Sequence, residues 1–291
     1  MICSLCPRAC HALRTPDEGR GFCGLPSTMR IARIAPHLWE EPPVSGTRGT
    51  GAVFFSGCTL RCRFCQNAPI SHRNEGKAMT CRELADSLRR LVDMGVHTIS
   101  FITAAPYVEA ILETLGLYRP PVPLVYNTSG YESPETLRRL EPFMDVYLPD
   151  LKHFSPSLAR LCTGREDYFP VASEAILEMV RQKGDPVLDE QGILRRGVLI
   201  RHLILPGCTS DSLAVLRWIA DHVPSVPVSL MQQYTPMNQV DIPGFQRSIT
   251  RREYDRVRQG MLTLGLKGFY QGPTASDESF VPLFNQPESF V

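Results

Sequence analysis

Ala52-Val53-Phe54-Phe55-Ser56-Gly57-Cys58-Thr59-Leu60-Arg61-Cys62-Arg63-Phe64-Cys65-Gln66-Asn67 is the stretch whose reading decides the fold. Its first four residues form a continuous apolar run, the pattern of a short strand buried on both faces. Ser56 and Gly57 end the run, and three cysteines follow at C-x3-C-x2-C spacing. Soft thiolates select iron–sulfur centres, and three in one loop can hold three irons of a cubane cluster. The fourth iron then has no protein ligand within the motif, and an open iron can chelate a substrate's amine and carboxylate. The competing reading is a three-cysteine zinc site completed by His72.

Beyond the triad, strands and helices alternate. Thr80 and Glu83 form a capping box, and Leu84, Leu88, Leu91 and Val92 repeat at helical spacing before Gly95. Further strands are expected at 99–102, 122–126, 144–148, 198–205 and 226–231. Helices are expected at 108–117, from Pro134, and at 172–183, 213–222 and 251–264, with a turn at Asp189-Glu190-Gln191-Gly192. This α/β alternation implies a parallel sheet with right-handed crossovers. Six units fit a partial (β/α)6 barrel, with a doubly wound open sheet as the alternative. Either architecture gathers ligands at the carboxyl ends of the strands. The expected division is a cysteine-rich appendage at 1–50, the barrel at 51–235, and a C-terminal helix and tail at 236–291 packed on it.

The 291 residues can bury a large core, and 43% hydrophobic with 21% charged residues is ordinary for a soluble globular chain. A net charge of +1 argues against nucleic acid as an obligatory partner. No apolar run approaches a membrane span, and the first residues carry cysteines rather than an apolar signal region, so a cytoplasmic setting is expected. In that reducing setting the ten cysteines signal metal or redox chemistry before disulfides.

With Phe64 before the third cysteine, the triad resembles that of the radical S-adenosylmethionine enzymes. The resemblance implies that Cys58, Cys62 and Cys65 hold a [4Fe-4S] cluster whose fourth iron binds S-adenosylmethionine. It further implies reductive cleavage to a 5′-deoxyadenosyl radical, with Phe64 near the adenine and an electron donor such as flavodoxin or ferredoxin. Roughly residues 50–235 are similar to the pyruvate formate-lyase activating enzyme and its relatives. Asn127-Thr128-Ser129-Gly130 resembles that group's turn after the third strand, and Asp150-Leu151-Lys152 its Asp-Leu-Lys. Arg201 through Pro206-Gly207 resembles its Arg-bearing fifth strand. Asn127, Ser129, Asp150, Lys152 and Arg201 are thereby implied as cofactor contacts. The group's Gly-Gly-Glu after the second strand is replaced by Thr103-Ala104-Ala105-Pro106, so the cofactor amine is left to backbone carbonyls, the Thr103 hydroxyl or Glu109. Gln232-Gln233-Tyr234 stands where activating enzymes tend to place a histidine. The implied activity is hydrogen abstraction from a protein or peptide. The alternatives are radical modification of a small molecule or amino acid, and an iron–sulfur sensor or electron-transfer protein.

Cys3, Cys6, Cys10 and Cys23 make a second group, C-x2-C-P-x2-C-x12-C. Four thiolates form a closed site, suited to zinc or to a second [4Fe-4S] cluster. Residues 1–30 cannot build a core of their own, so a metal staple is expected there. His11 reads as a surface residue, with a substitute ligand role as the alternative. Cys81 opens a helix, Cys162 packs, and Cys208 lies in a loop at the mouth. Arg201 is expected inside the barrel and its neighbour His202 outside. Gln232 and Tyr234 are expected either on the substrate side or in packing.

Overall fold

The computed structural model describes residues 2–237, 240–270, 282, 284 and 286–291. The first strand, β1 (Met29–His37), leads through a short helix, α1 (Pro42–Ser45), into β2 (Thr50–Phe55). A one-turn helix α2 (Ala68–Ser71) and strand β3 (Lys77–Met79) follow the triad. The chain then alternates through α3 (Cys81–Asp93), β4 (Thr98–Ile102), α4 (Val108–Leu117), β5 (Leu124–Thr128), α5 (Pro134–Leu140) and β6 (Val146–Pro149). Helices α6 (Pro156–Thr163) and α7 (Tyr168–Lys183) precede the β7 (Val187–Leu188) and β8 (Leu194–Val198) hairpin. Last come β9 (Ile200–Leu203), α8 (Thr209–His222), β10 (Val228–Met231), α9 (Arg251–Thr263) and β11 (Gly268–Tyr270).

Strands β2, β4, β5, β6 and β8 pair in parallel in that order, and β9, β10 and β11 pair in parallel in a second sheet. A bridge between Asp150 and Arg201 joins the two sheets into one partial barrel. All six residues of β2 are buried, as the apolar run demanded. Each Val or Phe side chain so enclosed stabilises the fold by about 1.5–3 kcal/mol. The Thr80–Glu83 capping box is present, with Glu83 N–H donating to Thr80 Oγ1 at 3.2 Å and Thr80 N–H to Glu83 at 2.8 Å. Leu84, Leu88 and Leu91 of α3 face the core.

Four differences from the sequence reading matter for the site. First, β1 lies within the residues assigned to an aperiodic appendage. It pairs antiparallel with β2 and β3, so this part of the chain extends the barrel sheet. Second, the single strand expected over 198–205 is divided at Leu199, because β8 pairs with β6 while β9 pairs with β10. Third, α6 was not anticipated, and α7 begins at Tyr168 rather than 172. Pro170 falls in the first turn of α7, where its missing N–H costs no intrahelical bond. Fourth, α1 inserts Val44 among Val125, Val146, Leu148, Leu194 and Leu199, closing one end of the barrel with apolar side chains. Of the expected tail, residues 238–239, 271–281, 283 and 285 lie outside the described residues. Phe290 and Val291 return to β1, with Val291 N–H donating to Ile34 O at 3.0 Å. Among the described residues no helix is long and apolar enough to cross a membrane.

Candidate active site

The triad loop leaves the carboxyl end of β2. Gly57 starts it at φ +84°, and a Cβ there would approach Leu25 Cδ1 to 2.2 Å, so both the turn and the packing demand glycine. Cys58 and Cys62 are buried and Cys65 half-buried. Leu60 N–H points at Cys58 Sγ at 3.4 Å, and Ser71 Oγ donates to Cys65 Sγ at 3.3 Å. Burial pushes the Cys62 and Cys65 thiols up, and the Lys152 ammonium opposes that rise at both sulfurs. Three soft sulfurs, two of them receiving hydrogen bonds and two near the Lys152 ammonium, fit an anionic iron–sulfur cluster. Among the described residues no three His, Cys, Asp or Glu side chains close around a single-ion position, His72 with the triad included.

Beside the triad lies a chain of buried charges carried on the strand ends. Lys152 pairs with Asp150 Oδ2, and Arg201 Nε donates to Asp150 Oδ1 at 2.9 Å. Arg201 Nη2 donates to Asn127 Oδ1 at 2.7 Å, and its Nη1 lies 3.5 Å from Glu40. Asn127 Nδ2 in turn donates to Glu40 Oε1 at 3.1 Å. Burial alone would raise Asp150, but Arg201 and Lys152 hold its carboxyl below the usual carboxylate range. Burial likewise works against the Lys152 ammonium, and Asp150 with Cys62 outweighs it and raises the group. The side chains of Asp150, Lys152 and Arg201 are mostly enclosed, so this is not the solvated surface pair of Asp150 and Lys152 that sequence alone also allows.

The turn between β5 and the next helix is locked onto this cluster. Gly130 takes φ +79°, and a Cβ there would reach 2.3 Å from Asp150 O. The Tyr168 hydroxyl accepts from Lys152 N–H at 2.9 Å and lies 2.9 Å from both Ser129 O and Asp150 O. One phenol thus ties the Ser129 turn to the end of β6. At the end of β4, Thr103 adopts φ +59° while its N–H donates to Asn127 O at 3.0 Å. A β-branched residue enters that left-handed region at a cost of about 1–2 kcal/mol. The backbone there turns as a glycine would, although the side chain is threonine.

Phe64 sits among the rings of His153, Tyr234 and Phe245, with centroids 6.0–6.3 Å away. Tyr234 belongs to this packing rather than to an open mouth: it is 2% exposed and its hydroxyl donates to Phe245 O at 2.8 Å. Gln232 is partly buried just after β10. Glu109 is removed from the site, because both its oxygens accept from Arg139 on the outer face of α4 and α5. Arg201 faces the cluster as expected, while His202 is buried with Nδ1 2.7 Å from Leu151 O. Cys162 is fully buried, Cys208 caps α8, Cys81 opens α3, and His11 is exposed.

Sequence reasoning missed Glu40, Glu41 and Tyr168. Glu41 is buried beside Glu40 and Arg201, and burial pushes its carboxyl up to about 7, with Arg201 opposing. The one signal was two acidic residues before Pro42-Pro43, where Pro42 opens α1 and aims the preceding residues inward. The four N-terminal cysteines, by contrast, come together as spaced: Cys3, Cys6, Cys10 and Cys23 all line one cavity.

Comparison with known proteins places this geometry. The family description "Radical SAM superfamily" matches residues 52–219, more than half of the chain. The uncharacterized protein MJ0674 of Methanocaldococcus jannaschii is 25% identical over 268 residues, covering 88% of this chain and 72% of that one. A radical SAM methyltransferase from Sphaerobacter thermophilus shares the fold at 17% identity and a TM-score of 0.54, with 76% of this chain and 66% of that one covered. Methylornithine synthase aligns at 17% identity and a TM-score of 0.48, with 71% and 59% covered. This chain therefore spans less than two thirds of the length of each of those two solved structures.

Proposed function

Because the chain belongs to the radical S-adenosylmethionine superfamily, we propose that it abstracts hydrogen from a protein or peptide substrate, in the manner of glycyl-radical activation. The superfamily's [4Fe-4S] cluster and S-adenosylmethionine supply the chemistry, a one-electron cleavage of the sulfonium to a 5′-deoxyadenosyl radical. Cys58, Cys62 and Cys65 are the residues that would hold the cluster. Lys152, which favours the Cys62 thiolate and is itself held charged by it, offsets its negative charge. Asp150, Arg201 and Asn127 offer both signs of charge to the ammonium and carboxylate of the methionine end. Because these groups already hold one another, they reorganise little when the cofactor binds. Phe64, His153 and Phe245 present rings to the adenine and keep water from the reactive carbon.

The single observation that carries the reading is the buried chain from Lys152 through Asp150 and Arg201 to Asn127, ending beside the triad sulfurs. The macromolecular substrate is supported by the open barrel: among the described residues β11 pairs with β10 alone, leaving a side entrance. The test uses extract from deuterated cells, separated into macromolecules and small molecules, supplied to reduced enzyme. Deuterium appearing in 5′-deoxyadenosine from the macromolecular fraction is expected. Deuterium arriving from the small-molecule fraction alone overturns the substrate class.

A further inference from the structure

The cavity lined by Cys3, Cys6, Cys10 and Cys23 lies outside the site described above, and it shares a wall with that site. Thr59, between Cys58 and Cys62 of the triad loop, lines the cavity, as does Pro106 from the loop after β4. Two arginines stand in the same wall. Arg14 is buried, donates to Leu25 O at 3.0 Å and to Pro26 O and Pro106 O, and holds Nη1 3.8 Å from Cys3 Sγ. Arg8 donates through Nε to Thr59 O and lies over the Phe22 ring at 3.3 Å, and its buried Nη2 has no hydrogen-bond partner. Through its bond to Thr59 O, this cation in the cavity wall joins the N-terminal cysteine segment to the triad loop.

Permanent cations set into a wall of thiols suit a strongly anionic occupant, since a buried charge without a counter-charge is costly. The backbone points the same way. Ala9 and His11, on either side of Cys10, take φ of +42° and +46°. Non-glycine residues hold such angles only where something outside the local chain compensates. The four cysteines line one cavity. A polynuclear core fills such a space, whereas tetrahedral zinc draws its four sulfurs to within about 2.3 Å of one centre.

We propose that Cys3, Cys6, Cys10 and Cys23 ligate a second, closed [4Fe-4S] cluster that relays electrons to the triad across the Thr59–Arg8 wall. The graded exposure of its ligands gives the relay a direction: Cys10 is exposed, Cys6 and Cys23 are half-buried, and Cys3 is buried. One electron from a ferredoxin- or flavodoxin-class donor enters on the Cys10 side and reduces the closed cluster from its 2+ to its 1+ core. The same electron then passes to the triad's cluster, which goes from 2+ to 1+ as the first returns to 2+. No bond forms or breaks and no proton moves. The relay rests on the function proposed above, while the ligand assignment does not.

The full chain carrying Cys58→Ala, Cys62→Ala and Cys65→Ala, prepared anaerobically with iron and sulfide, tests the ligands alone. About four irons and four sulfides per chain are expected, with a paramagnetic signal on reduction that S-adenosylmethionine leaves unchanged. One zinc without sulfide, or no metal, overturns the assignment. Cys10→Ser in the otherwise unaltered chain replaces the exposed ligand, so the fold should hold by circular dichroism while about half the iron is lost. Full iron in that variant overturns the site. In the same variant, 5′-deoxyadenosine formation driven by flavodoxin should be lost relative to that driven by dithionite. An unchanged ratio overturns the relay and spares the cluster. Wild-type enzyme inactive with either reductant overturns the relay through its premise, leaving the metal count to stand by itself.

Discussion

The two cysteine groups meet at Thr59, yet the chain holds them in different ways. Cys58, Cys62 and Cys65 follow a strand whose six residues are all buried, and donors from Leu60 and Ser71 already point at two of the sulfurs. Cys3, Cys6, Cys10 and Cys23 lie in a segment whose regular pairing amounts to the bridges Ile2 to Leu13 and Arg14 to Gly19. The first site inherits its order from the barrel, and the second must gain much of its order from what it binds. The lesson is that ligand spacing alone does not tell a pre-formed metal site from one that folds around its metal.

That contrast breaks most plainly if metal removal treats the two regions alike. Chelation of the iron should expose residues 2–28 to protease and to hydrogen exchange while β2 through β6 stay protected. The metal-binding free energy there is folding free energy, about 10 kcal/mol or more in small four-ligand zinc sites. Mass spectrometry of exchanged peptides reads the result, and equal loss of protection in both regions would sink the comparison.

The next largest effect is expected inside the barrel. Asp150→Ala strands Arg201 and Lys152 without their shared carboxylate, and breaking such a buried pair costs about 3–5 kcal/mol. Thermal unfolding of metal-loaded protein measures it, and a loss under about 1 kcal/mol would show that solvent reaches the cluster. Lys152→Ala should weaken S-adenosylmethionine binding about ten- to a hundredfold with iron content unchanged, read by calorimetry.

The barrel also carries a pH dependence that metal should not alter. Glu41 is raised to about 7 by burial, above its unfolded value, so the folded state holds a proton that the unfolded state has released. Its contribution is fully present below the unfolded pKa and is lost as pH rises through about 7. Glu41→Gln should reduce the fall in denaturant stability between roughly pH 5 and 8, with or without metal, leaving the share of Glu132, which burial also raises to about 7. A slope that vanishes on chelation would instead place its origin among the cysteines. The smallest effect sharpens the picture of β4: Thr103→Gly relieves the left-handed backbone and should stabilise the barrel by about 1 kcal/mol. A destabilising result would show that the threonine side chain outweighs its strain.

Much of the barrel was legible because its signals are local. The capping box at Thr80 and Glu83 and the leucines after it specify α3 within one stretch of chain. The turn at Asp189 to Gly192 closes the β7–β8 hairpin through Asp189 N–H to Ile193 O at 2.9 Å. β1 was illegible because its Arg30 and Arg33 and the surrounding glycines and prolines hide a strand that only pairing with β2 makes stable. The division at Leu199 was hidden for a related reason: the apolar run continues through it, and the change of partner from β6 to β10 leaves no mark in the residues.

Within the site, the C-x3-C-x2-C spacing, the aromatic before the third cysteine, the charges just after β6 and Arg201 near the start of β9 were determined by sequence alone. They could be read because each follows or lies within an apolar run. The tertiary structure alone decided that Glu40 reaches Asn127 and Arg201, that Tyr168 ties Ser129 to Asp150, and that Glu109 turns away to Arg139. It also decided that Arg8 bonds to Thr59 O and so joins two cysteine groups whose nearest members in sequence, Cys23 and Cys58, are far apart along the chain. The reason is physical: a turn or a cap is a preference of neighbouring residues, whereas these contacts exist only once strand register and barrel curvature bring remote backbones to hydrogen-bond range.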